Sequence, residues 1–197
     1  MSTLQAVSEP AKVAFLDRDG IINENMPDHR YVTNWSEFKF AVGAIEFLQG
    51  LVEREYQLVV VTNQQGIGKG LMSAANLEDI HEKMREALRT LGVEFVGIYH
   101  CPHLASANCL CRKPKIGLIQ QAISAMGGEI DFQRSWLVGD SLTDIQAGAN
   151  AGLRTILLAN KPSSIAAQTQ ARTLGATVIT ELLDALPRMD AGMTSPG

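Results

Sequence analysis

Two carboxylates stand two positions apart where an apolar run stops. In "VAFLDRDGII" the residues Val13 to Leu16 are apolar, Asp17 and Asp19 follow, and Gly20 comes next. A second run, "WLVGDSLTD", ends in the same way at Asp140, with Asp144 four residues on. A third, "VVVTN", ends in the hydroxyl of Thr62, and "CLCRKPK" supplies two cations, Arg112 and Lys113. Each piece has an ordinary alternative. Asp and Gly are common in turns, Asp caps helices, and a basic pair can be a solvated patch. "TNQQGIGKG" lacks P-loop spacing, so Lys69 carries no nucleotide assignment. Jointly the four run ends are far more specific. Acids packed together are costly unless a cation joins them. Three carboxylates suit Mg²⁺, which binds few protein carboxylates and keeps water and phosphate as its other ligands. Lysine and threonine beside it suit a phosphoryl group.

A second constellation lies just upstream of Arg112. "CPHLASANCLC" spaces Cys101, His103, Cys109 and Cys111 as C-x-H-x5-C-x-C, and it contains all three cysteines of the chain. An odd number confined to one short stretch argues against a disulfide framework. Three thiolates and one imidazole make a closed tetrahedral set for Zn²⁺. With no open position such a site is structural, and it would pin the loop that runs into Arg112 and Lys113.

These residues need elements to position them. Val13–Leu16, Leu58–Val61, Phe95–Tyr99, Trp136–Val138 and Thr155–Leu158 read as five buried strands. Residues 43–55 read as a helix with Ile45, Leu48, Leu51 and Val52 on one face. Ser73 reads as the N-cap of a long helix carrying Leu77, Ile80, Met84, Leu88 and Leu91. Helices are also expected at 117–126 and 144–151, then a weaker helix and a short apolar run, Val178–Ile179. Alternating strands and helices predict an α/β fold: a doubly wound parallel sheet covered on both faces. In such sheets the ligand sits beyond the carboxyl ends of the strands, which is where all four chemical run ends fall.

The bulk numbers narrow the class. A chain of 197 residues, 46% hydrophobic, can fill one domain. We expect that domain to span 1–190, with 191–197 a mobile tail. The formal net charge of -4 gives no general attraction for nucleic acid or anionic membranes. No apolar stretch nears the roughly 20 residues of a membrane helix. "MSTLQAVSEPAK" lacks the basic start and apolar core of a secretory signal. The expectation is a soluble cytoplasmic monomer.

With "DRDG", "TNQ", "RKPK" and "GDSLTD" in this order, the chain resembles the haloacid dehalogenase superfamily of phosphatases over about residues 13–158. The resemblance implies a central strand order of 5-4-1-2-3 and no large cap domain. It implies that Asp17 attacks phosphorus and forms an aspartyl-phosphate, while Asp19 serves as acid and then base. Mg²⁺ would be held by Asp17, the carbonyl of Asp19, and Asp140, with Asp144 behind them. Thr62 and Lys113 would neutralise the phosphoryl oxygens. The zinc loop running into "CRKPK" is similar to one branch of that superfamily. Some members of that branch act on a heptose bisphosphate and others on histidinol phosphate. "DHRYV" and "TNQQGIGKG" favour the sugar, with histidinol phosphate as the alternative. The substrate contacts this implies are Asn23, Asp28, His29, Arg30, Tyr31, Thr62, Asn63, Gln64, Arg112, Lys113 and Ser141. The expected partner is a small phosphorylated metabolite.

Overall fold

A computed structural model describes residues 9–27, 30–160 and 165–191. The strands are β1 (Val13–Leu16), β2 (Gln57–Asn63), β3 (Phe95–Cys101), β4 (Trp136–Gly139), β5 (Arg154–Leu158) and β6 (Thr177–Ile179). Between them run α1 (Ala44–Glu53), α2 (Ala74–Arg89), α3 (Gly117–Met126), α4 (Leu142–Asn150) and α5 (Ile165–Thr173), and α6 (Ala185–Asp190) follows β6. All strand pairs are parallel, in the order β3-β2-β1-β4-β5-β6. This is the expected five-strand order, extended at the β5 edge by the short run at Val178–Ile179.

Burial on both faces explains the apolar runs. A strand turns successive side chains to opposite faces. In β1, Ala14 and Leu16 pack into a core with Leu48, Ile80 and Met84 from α1 and α2. Val13 and Phe15 pack into the opposite core with Leu118, Ile119 and Ala147 from α3 and α4. Leu58 and Val60 divide from Val59 and Val61 in the same way along β2. Each large side chain so buried contributes roughly 1.5–3 kcal/mol. With both faces buried, the central strands are apolar through their middles, and polar residues concentrate at the strand ends.

Some details differ from the sequence reading. The buried side of α1 is Ala44, Phe47, Leu48 and Leu51, whereas Val52 is exposed. The helix ends sooner than periodicity suggests, and Leu91 likewise lies past the end of α2 and is exposed. Both β2 and β3 run two residues further than apolar character alone indicates. Thr62 and Asn63 are therefore ladder residues, paired with His100 and Cys101. No described helix is long and apolar enough to cross a membrane.

Helix α4 lies unusually close to the sheet. A Cβ on Gly148 would collide with the Thr155 Cγ2 and press on Leu137. Alanine ordinarily favours a helix interior over glycine by about 1 kcal/mol, but overpacking a filled core costs about 1–3 kcal/mol. Gly148→Ala is therefore expected to destabilise the protein in urea unfolding. Adding Thr155→Ser, which removes the colliding methyl, should return part of the loss.

Candidate active site

The site begins where β1 and β4 end side by side. The Asp17 backbone N–H donates to the Val138 carbonyl at 3.0 Å, so the ladder carries Asp17 to the sheet edge. Directly beyond, the Arg18 carbonyl accepts from the N–H groups of Ile21, Ile22 and Asn23 and folds the chain into a tight turn. Gly20 makes this turn possible. Its φ is +89°, and a Cβ there would overlap the Asp140 carboxylate and the Asn25 amide. The Asn25 Nδ2 donates to Asp140 Oδ2 at 2.6 Å, tying the turn after β1 to the end of β4.

A single ammonium organises the acids. Lys113 is 2% exposed. Its Nζ lies 3.0 Å from Asp17 Oδ1 and 2.5 Å from Asp144 Oδ1, and donates to the Val61 carbonyl at 2.7 Å. Burial opposes its charge, but Asp144 and Asp17 outweigh burial and push its pKa up to about 12. Asn63 fixes the backbone around it: its Oδ1 accepts from the Lys113 N–H at 3.0 Å, and its Nδ2 donates to the Lys113 carbonyl at 3.2 Å.

One cation does not balance three acids. Asp17, Asp140 and Asp144 each offer an oxygen, all within 4.8 Å of one another. Burial raises the Asp17 pKa to about 7, Lys113 opposes this, and Asp144, Asp140 and Asp19 add to it. Clustered hard oxygen donors with net negative charge fit a divalent cation.

Asp19 faces a different partner. Arg18 is fully buried, and its Nη2 donates to Asp19 Oδ1 and Oδ2 at 2.8 and 3.1 Å, while its Nε reaches Oδ1 at 3.2 Å. The amides of Asn23 and Gln64 also donate to Asp19, at 2.9 and 2.8 Å. Burial works to raise the Asp19 pKa, but the Arg18 charge and these hydrogen bonds hold it below the usual carboxylate value. Gln64 is buried and also donates to the Thr62 hydroxyl at 3.0 Å.

The remaining residues divide between the site and its frame. Ser141 caps α4: its N–H and hydroxyl both donate to Asp144 Oδ2. Tyr31 accepts through its hydroxyl from Gln65 at 2.7 Å and Lys69 at 3.0 Å, closing the loop after β1 onto the loop after β2. Arg30 is exposed. Arg112 lines a cavity of about 360 Å³ with Lys113, Lys115, Asn108 and Thr143. Asp28 and His29 lie outside the described residues.

Two residues escaped the sequence reading. Arg18 lies between the two acids, where no spacing distinguishes it. His81 lies on the apolar stripe of α2, four residues after Leu77, and is 2% exposed. That spacing was the available signal. The Arg18 Nη1 meets His81 Nε2 at 3.2 Å.

Cys101 ends β3, and the loop beyond it returns His103, Cys109 and Cys111 to the same point. Their donor atoms lie within 4.8 Å of one another, a set able to hold a metal ion. Burial pushes the Cys101 thiol up to about 12. Cys109 is drawn down to about 6 despite desolvation, chiefly by the Arg112 backbone. The Gly68 N–H donates to the Pro102 carbonyl at 3.0 Å, so this loop also braces the one after β2.

A parallel sheet in this order, with acids closing β1 and β4 around a buried lysine, defines a phosphatase of the haloacid dehalogenase superfamily. Residues 12–170 match the family described as polynucleotide kinase 3 phosphatase, and the chain belongs to that family. It is 38% identical over 183 residues to the D-glycero-beta-D-manno-heptose-1,7-bisphosphate 7-phosphatase of Haemophilus ducreyi, covering 89% of this chain and 97% of the relative. It is 37% identical over 150 residues to the D-glycero-alpha-D-manno-heptose-1,7-bisphosphate 7-phosphatase of Campylobacter jejuni, covering 76% and 83%. The crystal structure of D,D-heptose 1,7-bisphosphate phosphatase from B. bronchiseptica, complexed with magnesium and phosphate, superposes with a TM-score of 0.80 at 30% identity, covering 91% of this chain and 98% of that one.

The buried histidine gives a pH prediction. The His81 pKa is lowered from 6.5 to about 3, by burial first, then by Arg18 and His100, with Asp19 opposing. Above 6.5 both folded and unfolded chains carry it neutral, and its contribution to stability is complete. As pH falls from 6.5 toward 3, only the unfolded chain takes the proton, and that contribution is lost. His81→Gln, which cannot titrate, is expected to show a shallower fall of the thermal midpoint across this window.

Proposed function

We propose that this chain is a Mg²⁺-dependent phosphomonoester hydrolase that removes the 7-phosphate of D-glycero-D-manno-heptose 1,7-bisphosphate through an aspartyl-phosphate. The Asp17–Lys113–Asp144 arrangement carries the catalytic half of this reading. The two heptose bisphosphate phosphatases at 37–38% identity support the substrate.

The ion would be held by Asp17, Asp140 and the backbone carbonyl of Asp19, and its charge would offset that of the phosphate. Asp17 attacks phosphorus through a carboxylate oxygen. One oxygen–phosphorus bond forms as the bond to the leaving oxygen breaks. Asp19 gives its proton to that oxygen, so the sugar leaves as an alcohol. Asp19 then takes a proton from water, whose oxygen attacks the aspartyl-phosphate and frees Asp17 and inorganic phosphate. An ionised Asp19 suits the second half. For the first half, an arriving phosphate dianion favours the protonated form by like-charge repulsion. Lys113 and Thr62 meet the spreading charge on the phosphoryl oxygens. The cavity beside Arg112 would receive the rest of the bisphosphate, with Tyr31 and the loop it latches forming the opposite wall.

The Cys101–His103–Cys109–Cys111 set would hold Zn²⁺. The set of three sulfurs and one ring nitrogen supports a structural ion that fixes the approach to Arg112.

Side-by-side kinetics with the alpha and beta heptose bisphosphates and histidinol phosphate test the substrate. The heptose is expected to give the higher kcat/KM, and a preference for histidinol phosphate would replace it. Asp17→Asn is expected to abolish Mg²⁺-dependent hydrolysis of both heptose bisphosphate and an aryl phosphate. Full activity in that variant would remove Asp17 as nucleophile. Metal analysis of protein purified without chelator is expected to find one zinc per chain. Cys109→Ser should lose it and lower the thermal midpoint.

A further inference from the structure

A guanidinium in the core between β1 and α2 needs a reason. Arg18 is among the largest fully buried side chains, and removing an arginine from water is expensive unless its donors are matched. The matching here is close. Nε and Nη2 take Asp19 as a fork, Nη2 also reaches Gln64 Oε1 at 3.3 Å, and Nη1 meets His81 Nε2 at 3.2 Å. A two-pronged contact restrains the plane of a carboxylate as well as its distance. His81 restrains the fork in turn, because it holds the nitrogen that Asp19 does not use.

We propose that His81 and Arg18 are positioning residues that hold the Asp19 carboxyl in line for proton transfer to the leaving oxygen. This rests on the reading of Asp19 as the acid and base of the reaction. The geometry demands a particular imidazole. To accept from Arg18, Nε2 must be bare, so the ring is neutral with its proton on Nδ1. The His100 ring of β3 lies 6.0 Å away, centroid to centroid. The positive charge of Arg18 and the desolvated setting both work against protonating His81. Thus α2, which bears none of the clustered acids, reaches the chemistry through one nitrogen.

Proton transfer matters most when the leaving oxygen is basic. An alkyl phosphate needs its alcohol protonated as it departs, whereas a nitrophenolate leaves with little help. The test is the ratio of kcat/KM for a primary alkyl phosphate to kcat/KM for p-nitrophenyl phosphate, which reports departure of the leaving oxygen and not the hydrolysis step both esters share, measured in wild type, His81→Leu, His81→Gln, Arg18→Lys and Asp19→Asn. In His81→Leu the ratio is expected to fall about 10-fold, since general acid catalysis contributes roughly 10²–10⁴-fold and only its alignment is disturbed. Arg18→Lys, which keeps the charge but loses the fork, should shift the ratio in the same direction. His81→Gln, whose side-chain oxygen accepts in place of Nε2, should restore it.

A merely structural role lowers both rates together. An unchanged ratio in His81→Leu and Arg18→Lys, beside a fallen ratio in Asp19→Asn, overturns this inference alone. An unchanged ratio in Asp19→Asn overturns the acid role of Asp19, and the inference with it. If His81→Leu does not fold, Arg18→Lys decides the matter by the same ratio.

Discussion

The structure turns on one buried ammonium. The Lys113 Nζ sits between Asp17 and Asp144, with the Val61 carbonyl as its third partner. It joins three strand ends: β1 through Asp17, β2 through Val61, and β4 through the helix that follows it. Removing one charged member of such a buried pair costs about 3–5 kcal/mol. The same contact that closes the sheet edge therefore aligns the carboxylate oxygen that would attack phosphorus. It also leaves the acids short of positive charge. The site is stable as a scaffold and incomplete as an electrostatic unit, which suits a centre built to take a divalent ion and an anionic ester together.

Around this contact the two acids after β1 are kept in opposite conditions. Asp17 is raised to about 7 by burial among other acids, and Asp19 is lowered by a fork of hydrogen bonds from Arg18. The difference arises within three consecutive residues because the turn after β1 sends Arg18 into the core and Asp17 to the edge. For a carboxylate nucleophile and a general acid this is the reverse of what is needed, so a divalent ion beside Asp17 would have to lower it and an arriving phosphate would have to raise Asp19. Among the described residues there is no large cap domain, and the short loops beside the acids brace one another. Tyr31 latches onto Gln65 and Lys69, and Gly68 bonds to Pro102 on the cysteine loop.

Much of this was legible in the chain. Strands buried on both faces are apolar through their middles, so a polar residue that ends such a run marks the sheet edge, as Asp17, Thr62 and Asp140 do. The cysteine set was legible because spacing alone limits which loop can bring four donors together. Other assignments depended on neighbours distant in sequence. Apolar periodicity puts Val52 on the buried face of α1 and Leu91 on that of α2, yet Val52 is exposed within its helix and Leu91 is exposed beyond the end of its own. Gln64 and Asn63 share a motif, yet one is spent on Asp19 and the other on the Lys113 backbone.

What the chain settled by itself was the class of fold, the parallel sheet, and the residue types gathered at its edge. These follow from local pattern: the period of burial, the stop of an apolar run, the interval between donors. Only the tertiary structure decided which groups are partners. Lys113 lies about a hundred positions from Asp17 in sequence and 3.0 Å from it in space. His81 carries no assignment until the fold sets Arg18 against it. Charge and hydrogen bonding act over a few ångströms, and that distance is measured across the packed sheet rather than along the chain.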